Sequence, residues 1–559
     1  MSDECESHND STHRRGLWRI GIIAVASALW MAYRSGGRPS RIRYPCQQAA
    51  LANIQALQVA LLASIPSLAS IASTMRSLRT PAILTLLVVG SAVVTTDSFA
   101  VTPNYSFTSE DYDVRVPITI APITSASPES ASDIFVVQNS TRAEGSTDDA
   151  VSTLFEMMSG QDLHFYQTES NEDGLIASDD VVLLKVNGQW SYRGGTNTDL
   201  LRSVIRMIID HPDGFTGEIV VADNGQGLGS MDRYYANSFY RNISFQEAVD
   251  TFDSHNISTI LWDDFRDMEV EDFDQGDYAA GYVLSDEWNP ETEIYVSYPK
   301  FTTAYGTYVS FMKGIWDDST GFNHDRLKVI NMPVLKTHFR YGVTGCVKHY
   351  MGVPKGEILE GTTPHEHFSI ALGGMATLMV ETRAPVLNIL DAIWVNARPT
   401  ESSTNAGPST SYGTASWTDI ITASTDPVGL DYWASKNILI PTAQHLDYTV
   451  YNSIDPDYEP TSTGIMDESF HNYLERSMLI LRNAGFQVTM NQSEMNVFVE
   501  ALADVFIPTT TTTTTTATDT TTTTTDDFPQ PLVTTVVISV AAVAVLIFMG
   551  LVRRKSDAP

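Results

Sequence analysis

The stretch "DDVVLLKVN", residues 179–187, decides how the rest of the chain is read. Four apolar residues run together without polar alternation and stop at Lys185. A strand with one wet face alternates, whereas a strand covered on both faces does not. The run therefore predicts a strand inside a layered sheet. Outward from it, "TNTDLLRSVIRMIIDH" (196–211) has the apolar spacing of a helix, with Asn197 or Thr198 placed to cap its start. "GEIVVADNGQGLG" (217–229) then gives a second apolar strand that runs into glycines. Strand, helix and strand in that order form one βαβ unit.

The alternation continues in both directions. "DIFVVQ" (133–138), "STILWDD" (258–264), "LKVINMPVLKTH" (327–338) and "PVLNILDAIW" (385–394) read as strands. "DDAVSTLFEMMSG" (148–160), "HFSIALGGMATLMVE" (367–381) and "DPVGLDYWASKN" (426–437) read as helices. The expected fold class is α/β, with a mostly parallel sheet and flanking helices. Pro333 lacks a ladder donor, so its strand is expected to lie at an edge or to end there.

The chain has 559 residues and a formal charge of −33. Such acidity speaks against a nucleic-acid partner, because phosphate backbones require clustered bases. It suits a self-repelling soluble surface. The cysteines are Cys5, Cys46 and Cys346, with no CxxC among them. That excludes a four-thiolate iron–sulfur cluster within this chain.

The two ends point to a membrane. Thr509–Thr525 is threonine broken only by Ala517 and Asp519, a stalk that cannot bury a core. Residues 532–552 are uncharged and long enough for one helical span, and the basic tail at 553–559 is expected on the cytoplasmic side. At the other end, apolar stretches at 20–33 and 82–96 make residues 1–100 a membrane or signal-like region. Residues 101–508 are then the outer domain, tethered by a stalk at 509–531. Sequons at Asn104, Asn139, Asn242, Asn256 and Asn491 suit that exposure.

From Arg326 to Gly356 the acidic chain contains no Asp or Glu, but gathers Lys328, Lys336, His338, Arg340, Lys348, His349 and Lys355. In parallel sheets ligands sit beyond the carboxyl ends of strands. The predicted strands end at Lys185 and Asn187, at Asp223, at Lys336 and His338, and at Asp391, which would bring these groups to one site. Lys185, Lys336 and Lys348 would supply positive charge, and His338 a donor or a base near neutrality. Gly342 and Gly345 would let backbone approach a ligand. A phosphate or carboxylate pocket follows. A divalent metal competes with it, since His338, His349, His365, His367 and Asp391 offer N/O ligands without a known spacing motif. The carboxylates at 263–277 lack an EF-hand spacing and read as a solvated loop.

The strand and loop "INMPVLKTH…GVTGCVKHYMG" resembles the signature of an uncharacterised family called domain of unknown function 362. That signature runs Asn-x-Pro-x-x-Lys-x-His, then Thr-Gly, Lys-Asn and Met-Gly. Asn331, Pro333, Lys336, His338, Thr344, Gly345, Lys348, Met351 and Gly352 fit it, while His349 stands where the family usually has Asn. "LLKVN" and "TNTD" resemble its earlier strand end and helix start, and Asp391, Asp426, Pro427 and Asp431 its later acidic positions. The resemblance spans about 130–440 and implies the same fold and site. It implies no reaction, and the ferredoxin-like clusters of some relatives have no counterpart here. The expected site comprises His338, Lys336 and Asp391 as reactive groups. Lys185, Asn187, Asp223, Asn331, Thr344, Gly345, Lys348 and Asp426 would hold the ligand. Three functions remain open: an enzyme acting on an anionic small molecule, a surface protein binding an anion or glycan, and a structural surface protein.

Overall fold

In the computed structural model the residues described are 115–124, 132–142, 145–190, 192–227, 229–232, 243–355, 367–402, 415–460 and 469–505. All fall in one compact unit, Phe107–Thr510. The segments at 1–100, 509–531, 532–552 and 553–559 lie outside the described residues, as does His365. Among the described residues, no helix is long and apolar enough to cross a membrane.

The N-terminal half of the sheet follows the predicted alternation. It runs β1 (Ser132–Gln138), α1 (Asp148–Ser159), β2 (Val181–Lys185), α2 (Thr198–Ile209), β3 (Glu218–Asp223), α3 (Phe245–Val249) and β4 (Ile257–Leu261). The Asn197 side chain caps α2 by accepting from the backbone N–H groups of Asp199 and Leu200. Val181 and Leu183 of β2 pack into one core while Val182 and Leu184 pack into another, on the opposite face. β3 divides in the same way, with Val220 and Ala222 on one side and Ile219 and Val221 on the other. Burial on both faces is the physical reason for the unbroken apolar runs. Each fully buried Val or Leu contributes on the order of 2 kcal/mol.

Between β4 and the next sheet strand lies an antiparallel five-stranded sheet that sequence reading did not anticipate. It comprises β5 (Gly281–Leu284), β6 (Ser297–Thr302), β7 (Tyr308–Ser310), β8 (Gly314–Asp317) and β9 (Gly321–Asn323), in that spatial order. Its Tyr282, Tyr298, Phe301 and Val309 join the first core. The acidic loop beside it is tied down internally. Lys300 donates to the Asp277 carbonyl at 2.8 Å, and Asp272 accepts from Tyr298 at 3.1 Å.

The predicted strand 327–338 is two strands, β10 (Leu327–Asn331) and β11 (Val334–His338), separated by Met332 and Pro333. β10 is central rather than at an edge, because it pairs with β2 on one side and with β13 on the other; it ends at Asn331, before Pro333. Further elements follow: β12 (Gly342–Thr344), α4 (Cys346–His349), α5 (His367–Ala371), α6 (Gly374–Glu381) and β13 (Leu387–Asn396). The expected helix 367–381 is thus two helices, broken at Gly373 with φ +83°. The chain closes with β14 (Ser416–Ser424), α7 (Pro427–Ala434), α8 (Ile440–His445), α9 (Phe470–Asn483) and β15 (Met495–Ala501).

The large sheet has the order β15-β1-β14-β13-β10-β2-β3-β4, with β11 and β12 attached through β13. β13, β10, β2, β3 and β4 are mutually parallel, and β14 runs against its neighbours β1 and β13. The chain leaves β2 toward β3 and β4, whereas β10 and β13 lie on the other side of β2. The order reverses between β2 and β10, and such a switch point opens a crevice beyond the strand ends.

Candidate functional site

The crevice forms where the chains of β2 and β10 part. Their pairing ends at Asn331 opposite Lys185. Beyond it the Thr196 hydroxyl bridges the gap, accepting from the Asn187 N–H at 2.8 Å and donating to the Met332 carbonyl at 2.7 Å. β11 then pairs with β12 and β13. A cavity of about 230 Å³ remains at the ends of β2, β3 and β11. Lys185, Asn187, Asp223, Lys336, His338, Thr344 and Lys348 line it, seven of the residues expected from sequence. His349, considered only as a metal ligand, lines it too, together with Gln189, Trp190, Asn224, Gln226, Phe339, Met351 and Gly352.

Its floor is a closed polar network. The Lys185 ammonium donates to Asp223 Oδ1 at 2.8 Å, to the Val186 carbonyl at 3.0 Å and to His349 Nε2 at 3.1 Å. Asp223 Oδ2 accepts from the Gly188 N–H at 2.8 Å. The Asn331 amide donates to the Cys346 carbonyl and to Asn388 Oδ1, which turns its own Oδ1 toward His349 Nδ1 at 2.7 Å. His349 therefore carries its proton on Nδ1 and accepts Lys185 on Nε2. Burial, then the Lys185 charge, holds His349 well below the usual imidazole range, so it is neutral. Burial also lowers the Lys185 ammonium, while the Asp223 carboxylate opposes that shift. Gly352 is required here, because a Cβ would stand 2.3 Å from Asp223 Oδ1 and 2.4 Å from Lys185 Nζ.

Two further ammonium groups face the cavity. Lys336 and Lys348 are both buried. Lys336 donates to the Gly194 carbonyl, and the acceptor of the Lys348 ammonium among the described residues is the weak Met351 Sδ, at 3.8 Å. Neither forms an ion pair among the described residues. Burial pulls Lys336 down to about 7, helped by the like charge of Lys348. Lys348 is also pulled to about 7, by burial and by Arg340. His338 Nδ1 lies 2.7 Å from the Arg340 carbonyl, and its ring stacks on Phe339 with centroids 4.6 Å apart.

The remaining expected residues lie outside the cavity lining and hold the scaffold. Asp391, expected beside His338, accepts instead from the backbone N–H groups of Asn197 and Ile393 at 2.8 and 3.1 Å, which anchors the start of α2. Burial raises it to about 6. Asp426 caps α7, accepting from Val428 and Gly429, and also holds the Thr489 N–H at 2.9 Å. Gly345 lies against Asp431, whose Oδ1 would be 2.1 Å from a Cβ there. Asp431 accepts from the N–H groups of Cys346 and Val347 and so fixes α4. Among the described residues, no group of three or more His, Cys, Asp or Glu is placed to hold a metal ion. The His367 side chain lies outside that description.

Residues 324–436 match the family described as "Domain of unknown function (DUF362)". The match takes in the motif from Asn331 to Gly352 and the acidic positions Asp391, Asp426 and Asp431. The Lys185–Asn187 strand end and Asp223 precede it. No curated protein and no solved structure was found to match the chain.

Proposed function

We propose that the crevice binds an anionic small molecule between Lys336 and Lys348. One observation carries this reading: two buried ammonium groups share a cavity in which, among the described residues, the one lining carboxylate, Asp223, is already paired with Lys185. A buried charge without a partner is costly, and an arriving anion relieves that cost. The same groups suit proton transfer. An amine that titrates near the working pH, as burial makes Lys336 and Lys348, is an effective acid or base, and the His338 ring lines the same cavity. The reading is therefore an enzyme acting on an anionic substrate, with His338 and the two lysines as the working groups and Asp391 as a support of the wall. On this reading the domain stands outside the membrane on the threonine stalk expected from the sequence.

The test is thermal unfolding of the full-length protein at pH 6 with phosphate, sulfate, pyrophosphate or succinate. At least one anion should raise the midpoint, and Lys348→Met should abolish the rise. If no anion shifts the wild-type midpoint, the reading fails. Turnover lost in His338→Gln with anion binding retained supports the enzyme; retained turnover would remove His338 from the mechanism.

A further inference from the structure

Accepting that the crevice takes an anion, we propose that its ligand is the phosphate monoester of a small hydroxylated, sugar-like molecule. The first argument is charge. Lys336 and Lys348 call for about two negative charges, and a phosphate monoester carries close to two near neutrality on a single centre. A monocarboxylate would leave one ammonium unmatched.

The second argument is the unused polar atoms of the wall. The Thr344 hydroxyl and Asn187 Oδ1 are both buried, both belong to residues lining the cavity, and neither has a hydrogen-bond partner among the described residues. Buried polar atoms are nearly always satisfied, and of the buried atoms without a partner among the described residues these two belong to residues that line the cavity. The hydroxyl donates to a phosphate oxygen. The carboxamide oxygen has a different requirement, because it accepts and cannot grip an anion. It needs an O–H or N–H on the ligand, which a fully ionised anion does not supply. Its own NH₂ group stands beside that oxygen, and such a donor–acceptor pair matches a sugar hydroxyl, which both donates and accepts.

The third argument is the remainder of the lining. Trp190 and Phe339 supply aromatic surface, and Phe339 is 47% exposed although its ring stacks on a cavity histidine. Apolar ring faces beside polar grips fit the C–H face of a sugar ring. A cavity of about 230 Å³ has room for a monosaccharide phosphate and not for a dinucleotide.

Titration calorimetry on the full-length protein at pH 6.5 decides the matter, with glucose 6-phosphate, ribose 5-phosphate, glycerol 1-phosphate, inorganic phosphate, succinate and glucose as probes. At least one ester should bind about tenfold tighter than inorganic phosphate, the worth of one good added hydrogen bond. Glucose should bind far more weakly than the esters. If inorganic phosphate or succinate equals or exceeds all three esters, this inference is overturned while anion binding stands. If no anion binds, anion binding itself has failed. Asn187→Ala should reduce the best ester to the affinity of inorganic phosphate and leave inorganic phosphate unchanged. An ester advantage that survives Asn187→Ala would also overturn the inference. Thr344→Val should weaken every phosphate-bearing probe alike.

Discussion

Lys348→Met should stabilise the ligand-free protein, and the gain should depend on pH. Lys348 is buried, with Met351 Sδ at 3.8 Å as its hydrogen-bond acceptor. Its folded pKa of about 7 lies below the ordinary 10.5. At about 1.4 kcal/mol for each tenfold change in proton affinity, this drop sets about 5 kcal/mol against the buried charge. Because the folded value is depressed, the unfolded chain binds more protons between pH 7 and 10.5, and wild-type stability rises with pH across that window. Below pH 7 both states are protonated and the full penalty applies. Methionine fills a similar volume without the charge, so the variant should be several kcal/mol more stable at pH 6. The gain should shrink steadily toward pH 10. Urea unfolding in phosphate-free buffer at pH 6, 8 and 9.5 measures it, with the slope checked for constancy. A variant less stable than wild type at pH 6, or a gain of equal size at pH 6 and 9.5, would refute the reasoning.

Further outcomes follow from the same geometry. Affinity for a dianion should fall as pH rises through 7, by roughly tenfold per pH unit for each lysine that must be charged, as read by calorimetry between pH 6 and 8.5. Asp223→Asn should cost about 3–5 kcal/mol in urea unfolding, because it strands the buried Lys185 charge. Gly352→Ala drives a Cβ into the Lys185–Asp223 pair and should cost about 1–3 kcal/mol, with anion binding weakened in the same sample. Asp426→Ala should cost about 1–2 kcal/mol through the lost cap of α7, with anion affinity unchanged; a large loss of affinity would place Asp426 in the site.

Some of this was visible in the residues themselves. The apolar runs 181–184 and 219–222 signal strands covered on both faces, and their assignment to opposite cores follows from that pattern. Asn197 signals its helix cap because a short polar side chain ahead of an amphipathic run has a local job. Other features were not visible. Pro333 signalled an edge strand or a strand end, and only the structure chose between them: β10 ends at Asn331 yet lies in the middle of the sheet, and the pairing with β13 continues past the break. The antiparallel β14 and the small sheet β5–β9 depend on which partner each strand meets, and local composition does not record that.

The site divides along the same line. Sequence alone determined that lysines, a histidine and an asparagine stand at the ends of apolar strands, in a segment free of carboxylates. Only the tertiary structure decided which of them face one another. Lys185, Asp223 and His349 meet across 38 and 164 residues of chain, and their hydrogen bonds neutralise two charges that looked available. Asp391, expected as a reactive group, and Asp426, expected to hold the ligand, spend their oxygens on backbone N–H groups. Lys336 and Lys348 are left facing the cavity. A side chain's chemistry is set by its type, whereas its role is set by what is already hydrogen-bonded to it, and that is a property of the fold.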